Sequence, residues 1–236
     1  MAGGAEGKFR AVVFDLFGTL VLAPTADDRS SAAAVLAAAA ERPVADVVGY
    51  LRESWRVRHD GTLTTVKQLS THLLAEVGGD AFNLGAVMGA WRHLAPRRLR
   101  ADQTVLAALD ALSGAGLAMG LLSDASAEIV EAWAPTDLAS RFGSAVFSCA
   151  AAAIKPDEAL YQRTLCELDA VDADTVLYVG DGGGDELRGA ERLGLTAVRV
   201  RRRGGEAALS FGEHNGWNGQ TLPDVEAVPS WIGEQR

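Results

Sequence analysis

The chain has 236 residues, 48% of them hydrophobic, and a formal net charge of −9. That length and apolar content allow a full buried core, as one domain or as a domain carrying an insert. The acid excess argues against nucleic acid and anionic membrane surfaces as partners, since both call for clustered Lys and Arg. The basic run Arg199 to Arg203, containing Arg201-Arg202-Arg203, is short and interrupted and reads as a wetted strand end. Cys149 and Cys166 match neither a bridge framework nor a zinc ligand spacing, so reduced thiols are expected. The opening MAGGAEGKFR lacks an apolar signal core, and no run reaches the roughly 18 apolar residues of a membrane span. A cytoplasmic protein is the expectation.

In chain order, Phe9 to Phe14 is a short β-branched and aromatic run that stops at Asp15 and the turn residues Gly18-Thr19, as a buried strand would. From Asp27 to Leu94 the apolar residues recur at helical spacing. Breaks near Pro43, at His59-Asp60-Gly61 and at Gly78-Gly79-Asp80 predict about four helices. After Pro96 the pattern alternates: helix 102–113, strand 117–123, a helix from Ser126, strand 145–148, helix 157–168, strand 175–179, helix 185–193 and strand 196–200. The tail beyond Gly204 is expected to form loops and a last short helix along the core edge. Strands alternating with helices imply an α/β fold, a Rossmann-like parallel sheet with helices on both faces. The helical stretch reads as an insert, giving a core of residues 1–23 and 96–236 and a helical cap domain of residues 24–95.

Ligands of such sheets bind beyond the carboxyl ends of the strands. Four consecutive strand ends carry polar or reactive groups: Asp15 with Thr19, Ser123 with Asp124, Lys155, and Asp181 with Asp185. Singly, each is equally a turn former or a helix cap, and Lys155 alone would be an exposed cation. Their recurrence at four consecutive strand ends is what points to a site. The glycine loop GDGGGD is neither a dinucleotide fingerprint nor a Walker loop. His59, His72, His93 and His214 are too scattered for a zinc set, and Trp55, Trp91 and Trp133 read as packing residues, with Trp55 also a candidate to face substrate.

These residues resemble the haloacid dehalogenase-like superfamily of hydrolases, most of which are phosphatases. FDLFGTL (14–20) is similar to its first motif, LLSDAS with Ser123 to the second, AAIKPDEALY with Lys155 to the third and VLYVGDGGGDELRGAERLGL with Asp181 and Asp185 to the fourth. The likeness spans about residues 9 to 200, and the insert resembles the family's C1-type helical cap. It implies Asp15 as the nucleophile, which is physically sound: a strand-end carboxylate attacks phosphorus in line once nearby charge is neutralised. Lys155 balances charge, while Thr19 and Ser123 bond phosphoryl oxygens. Mg²⁺ favours oxygen ligands, here Asp15, the Phe17 backbone carbonyl, Asp181 and Asp185. In the cap, Arg56, Arg58 and His59 of SWRVRHDG, clustered near a helix break, are the candidates to face a small-molecule substrate, and read equally as plain exposed surface. Nothing in the pattern specifies an oligomeric state.

The departure is Phe17, where phosphatases of the family usually carry a second Asp that protonates the leaving group and then activates water. Phe does neither, and such help is typically worth ~10²- to 10⁴-fold. The family's dehalogenases have an aromatic residue at this point, since halide leaves without a proton. A 2-haloacid dehalogenase, with Arg29, Arg56 or Arg58 holding carboxylate or halide, is therefore the alternative. Against it stands the acidic fourth motif: Asp181 and Asp185 beside Asp15 repel one another without a cation. A third reading is a non-catalytic phosphate-binding or regulatory protein of the same fold.

Overall fold

The computed structural model describes residues 7–169, 172–201 and 216–235. Arg202, Arg203, His214 and the first part of the tail lie outside these residues. A six-stranded, wholly parallel sheet is built from β1 (Ala11–Phe14), β2 (Ala118–Ser123), β3 (Ser144–Phe147), β4 (Val176–Gly180), β5 (Thr196–Val200) and β6 (Thr221–Leu222), in the order β3-β2-β1-β4-β5-β6. The chain has a Rossmann-like α/β fold.

Side chains alternate across a sheet covered on both sides, which is why its strands read as apolar runs. Val12, Phe14, Leu121, Leu177, Val179 and Val198 point to one face, packed by α6 (Gln103–Gly114), α7 (Ala127–Trp133) and α11 (Val228–Glu234). Ala11, Val13, Leu122, Val176 and Tyr178 point to the other, packed by α9 (Glu158–Glu167) and α10 (Glu186–Arg192). The first strand is shorter than the sequence predicts: it begins at Ala11, while Phe9 stacks on Trp231 of the tail helix.

Between β1 and α6 the chain forms α1 (Ala26–Ala40), α2 (Val44–Glu53), α3 (Trp55–His59), α4 (Val66–Glu76) and α5 (Leu84–Arg98). Capping boxes of Thr25 with Asp28 and Thr65 with Gln68 start α1 and α4. Five helices stand where about four were expected. The extra break lies at Ser54, whose hydroxyl donates to the Tyr50 carbonyl and accepts from Arg58 Nε, a local competition that apolar spacing does not reveal. These helices bury their own apolar cluster, including Leu36, Val47, Leu69, Leu73, Val87 and Trp91. Helix α5 also runs through Pro96 to Arg98. Pro near a helix end removes only one ladder bond, and burial of Ala95 and Leu99 in the sheet-side core holds the last turn.

The short helix α8 (Ser148–Ala151) follows β3 and touches α3. Gly61 approaches Ala152 so closely that a Cβ would collide with its backbone. The insert thereby lies against the core beside the strand ends. No helix among the described residues is long and apolar enough to cross a membrane.

Candidate active site

Parallel pairing of β1 with β2 and β4 places Asp15, Ser123 and Asp181 at adjacent strand ends. Asp15 is buried; its Oδ1 accepts from Lys155 Nζ at 2.6 Å and its Oδ2 from Thr19 Oγ1 at 3.0 Å. The turn that returns Thr19 is closed by Gly18 N–H to the Val21 carbonyl, with Gly18 at a φ of 87° that suits glycine. Ser123 is fully buried, and its Oγ has no hydrogen-bond partner. A buried hydroxyl without a partner is unfavourable unless a ligand supplies one.

Lys155 is reached through a loop fixed by its own backbone N–H, which donates to Asp124 Oδ1 at 3.0 Å. Its ammonium bridges Asp15 Oδ1 and Glu186 Oε2, the latter at 2.5 Å. Burial alone would lower its pKa, but Asp15, Glu186 and Asp124 outweigh that and hold it well above the ordinary lysine value. The ammonium is thus a fixed cation rather than a base.

In the fourth strand-end loop the structure departs from the sequence expectation. Asp181 Oδ1 accepts from the Gly183 N–H at 2.8 Å and stays buried. Asp185 does not join it: at φ 56° it turns outward, 3.4 Å from Arg192 and 3.9 Å from Arg188. Glu186 takes the inner place. Among the described residues, Asp15, Asp181 and Glu186 each offer a carboxylate oxygen within 4.8 Å of the others. Glu186 also accepts from the Gly182 N–H at 3.0 Å and the Tyr178 hydroxyl at 2.9 Å. Burial raises its pKa, with Asp15 and Asp181 adding to the rise and Lys155 opposing it.

Once the helix is known to start at Glu186, its geometry separates the two acids. Asp185 shares a face with Arg188 and Arg192 at i+3 and i+7, a solvated charge face, whereas Glu186 lies with Gly189 and Ala190, which are buried. The adjacent acids in GDGGGDE hide which one faces inward.

Of the cap candidates, Arg56 is exposed and pairs loosely with Asp60 at 3.9 Å. Arg58 and His59 are buried. Arg58 donates to Ser54 Oγ and the Leu51 carbonyl, and His59 stacks on Trp55 with Nδ1 2.6 Å from the Trp55 carbonyl. Burial, reinforced by Arg58, pushes the His59 pKa down to about 3, so it is a neutral imidazole. Phe17 is half-buried, and the guanidinium of Arg98 lies over its ring at 4.6 Å. Ser126 does not cap α7; its hydroxyl donates to Glu128. Arg98 and Glu128 have no sequence pattern of their own and emerge only from the fold, while Asp124, marked in the sequence by its strand end, is given its partner, the Lys155 N–H, by the structure.

A model of haloacid dehalogenase-like hydrolases matches residues 9–194. The chain belongs to this family of hydrolases. No curated protein matches it in sequence. Its fold is similar to that of a 2-haloacid dehalogenase from Pseudomonas syringae pv. Tomato, at 20% identity and a TM-score of 0.70, covering 97% of this chain and 100% of that one. A HAD phosphatase from Thermococcus onnurineus aligns at 18% identity and a TM-score of 0.67, over 95% and 98% of the chains. An L-2-haloacid dehalogenase from Xanthobacter autotrophicus with chloropropionic acid covalently bound aligns at 20% and 0.63, over the same shares. At these identities the likeness concerns the fold, and phosphatase and dehalogenase share it.

Proposed function

We propose that this hydrolase is a Mg²⁺-dependent phosphohydrolase that acts on a small phosphate monoester through Asp15. The observation that carries the reading is the buried triad of Asp15, Asp181 and Glu186 with Lys155 as the cation that bonds it. Three ionised carboxylates against one ammonium leave a surplus of negative charge in a buried site, a state that proteins relieve by taking up protons or a cation. The donors are all hard oxygens, which suits Mg²⁺. Asp15, Asp181 and Glu186 with the Phe17 carbonyl would hold the ion, which supplies neutralisation of charge on the phosphoryl oxygens.

The chain's own groups then divide the work. Lys155 and Thr19 fix the two oxygens of Asp15, so the carboxylate meets phosphorus without reorienting. Asp15 forms the new O–P bond as the ester O–P bond breaks, and water later releases phosphate from the aspartyl ester. Ser123, buried and unpartnered, is placed to donate to a phosphoryl oxygen. Phe17 supplies no proton, so substrates whose leaving group departs unassisted are favoured. The helices of residues 24–95 act as the cap that excludes water.

Phe17 favours one second reading, a 2-haloacid dehalogenase in which Asp15 displaces halide from carbon. Aryl phosphate hydrolysis with and without Mg²⁺ tests the first: metal-dependent turnover, lost in Asp15→Asn, is expected, and turnover indifferent to both rejects it. Chloride release from 2-chloropropionate that persists with chelator would instead establish the second.

A further inference from the structure

Beside the site, and outside the machinery just described, lies a cluster of the half-buried Arg98 with the buried Glu128 and Arg58. Arg98 ends α5 and covers the Phe17 ring at 4.6 Å. Its side chain is 36% exposed, and its ion-pair contact among the described residues is Glu128, with Nη1 3.6 Å from Oε1, longer than a direct hydrogen bond. Arg98 Nε and Glu128 Oε2 are both buried without a hydrogen-bond partner. Glu128 Oε1 accepts from Ser126 at 2.7 Å. Arg58 is buried, spends Nε and Nη2 on Ser54 and Leu51, and interacts electrostatically with both Glu128 and Arg98. Asp28 and Arg29 at the start of α1 face the same guanidinium with opposite charges.

Two guanidinium groups against one carboxylate leave one positive charge in surplus. Arg98 has five N–H donors in a planar fork suited to carboxylate or phosphate, and a structural ion pair would have brought them to Glu128. Instead the guanidinium lies over an aromatic platform two residues from the nucleophile, on a side chain that is about one-third exposed. An acid at position 17 would have drawn the guanidinium into an ion pair; Phe17 holds it by its face and leaves its donors open.

Resting on the phosphohydrolase reading, we propose that Arg98 binds a second anionic group on the leaving-group portion of the substrate. The preferred substrate is then a phosphate monoester that also carries a carboxylate or another phosphate. Glu128 is the carboxylate that opposes the charge of the fork, and Arg58 supplies positive charge behind it.

Calorimetric binding with Mg²⁺ present tests this with methyl phosphate, phosphoglycolate and propane-1,3-diol bisphosphate. The wild type is expected to bind at least one of the doubly anionic ligands on the order of 10-fold or more tightly than methyl phosphate, the scale of a charge-assisted fork contact; which one identifies the anion. Arg98→Gln should bring that ratio near unity, Arg98→Lys should keep part of it, and Glu128→Gln should raise it by removing the opposing charge. A wild-type ratio near unity, or one that ignores Arg98→Gln, overturns the subsite, as does a ratio that falls in Glu128→Gln as it does in Arg98→Gln. Aryl phosphate turnover separates the two readings. Turnover with a ratio blind to Arg98 leaves the phosphohydrolase standing without the subsite. A ratio that follows Arg98 without Mg²⁺-dependent turnover does the reverse. No binding of any of the ligands overturns both.

Discussion

At position 17 an aspartate would sit beneath a guanidinium, and that neighbour decides how well it can serve as an acid. Arg98, 4.6 Å from the centre of the Phe17 ring, would stabilise the ionised form of a carboxyl placed there and leave little of the protonated form needed to assist a departing alkoxide. Phe17→Asp is therefore expected to raise kcat for an alkyl phosphate by less than about tenfold, short of the ~10²- to 10⁴-fold typical of general acid help. The double variant Phe17→Asp with Arg98→Gln should recover more of that range, with a smaller change for an aryl phosphate. Comparing the two leaving groups checks it; a single variant equal to the double one refutes it. His59 gives a second residue-scale prediction. Burial lowers its pKa in the fold to about 3 from the ordinary 6.5. A depressed pKa contributes stability that is present above pH 6.5 and is lost as pH falls through the window toward 3, at up to about 1.4 kcal/mol per pH unit. Thermal unfolding of His59→Gln against the wild type should show a shallower loss across that window.

The element that decides the site is the turn from β4 into α10. Gly180 ends the strand directly beside the Glu186 carboxylate, and a Cβ there would overlap Oε1. Glycine at 180 is required for this close approach and not for an unusual φ. Gly180→Ala should push Glu186 from the triad and weaken metal binding by about tenfold or more, the scale of losing a group that fixes the metal's ligand set. Mg²⁺ titration of thermal stability measures it, while the strand itself persists by circular dichroism. An unchanged Mg²⁺ affinity would show that Glu186 is no ligand. The same turn explains why the acid of the fourth motif was only half legible. Asp181 follows the strand directly, and its place is given by where the apolar run stops. Asp185 or Glu186 depends on the backbone of Gly184 and Asp185, both at positive φ, which rotates one acid outward to Arg188 and Arg192 and the next inward.

For the whole molecule, the decisive quantity is charge held in the buried site. A divalent ion that binds the folded triad and not the unfolded chain stabilises by mass action, about 2.7 kcal/mol at a concentration 100 times its Kd. Mg²⁺ should thus raise the Tm and chelator should lower it again, and Glu186→Gln should abolish most of that response. A Tm indifferent to Mg²⁺ would shift the balance to the dehalogenase. Helix α5 leaves the apolar cluster of α1 to α5, enters the sheet-side core at Ala95 and Leu99, and between them brings Arg98 over the Phe17 ring. Arg98 lies three residues beyond the boundary at 95 that the apolar pattern suggests, in the last turn of α5.

The sequence by itself determined the parallel α/β sheet, the strand-end positions of Asp15, Ser123 and Asp181, and the place of Lys155 beyond the third strand. Apolar runs, their periods and their stopping points are local properties, and a parallel sheet aligns those stopping points along one edge. Only the tertiary structure decided that Glu186 and not Asp185 faces the triad, that Arg56 is exposed while Arg58 is buried, and that Arg98 covers Phe17. Each of these depends on which way a side chain turns once a backbone torsion, a helix break or a packed neighbour is fixed, and residue type and spacing do not encode that direction.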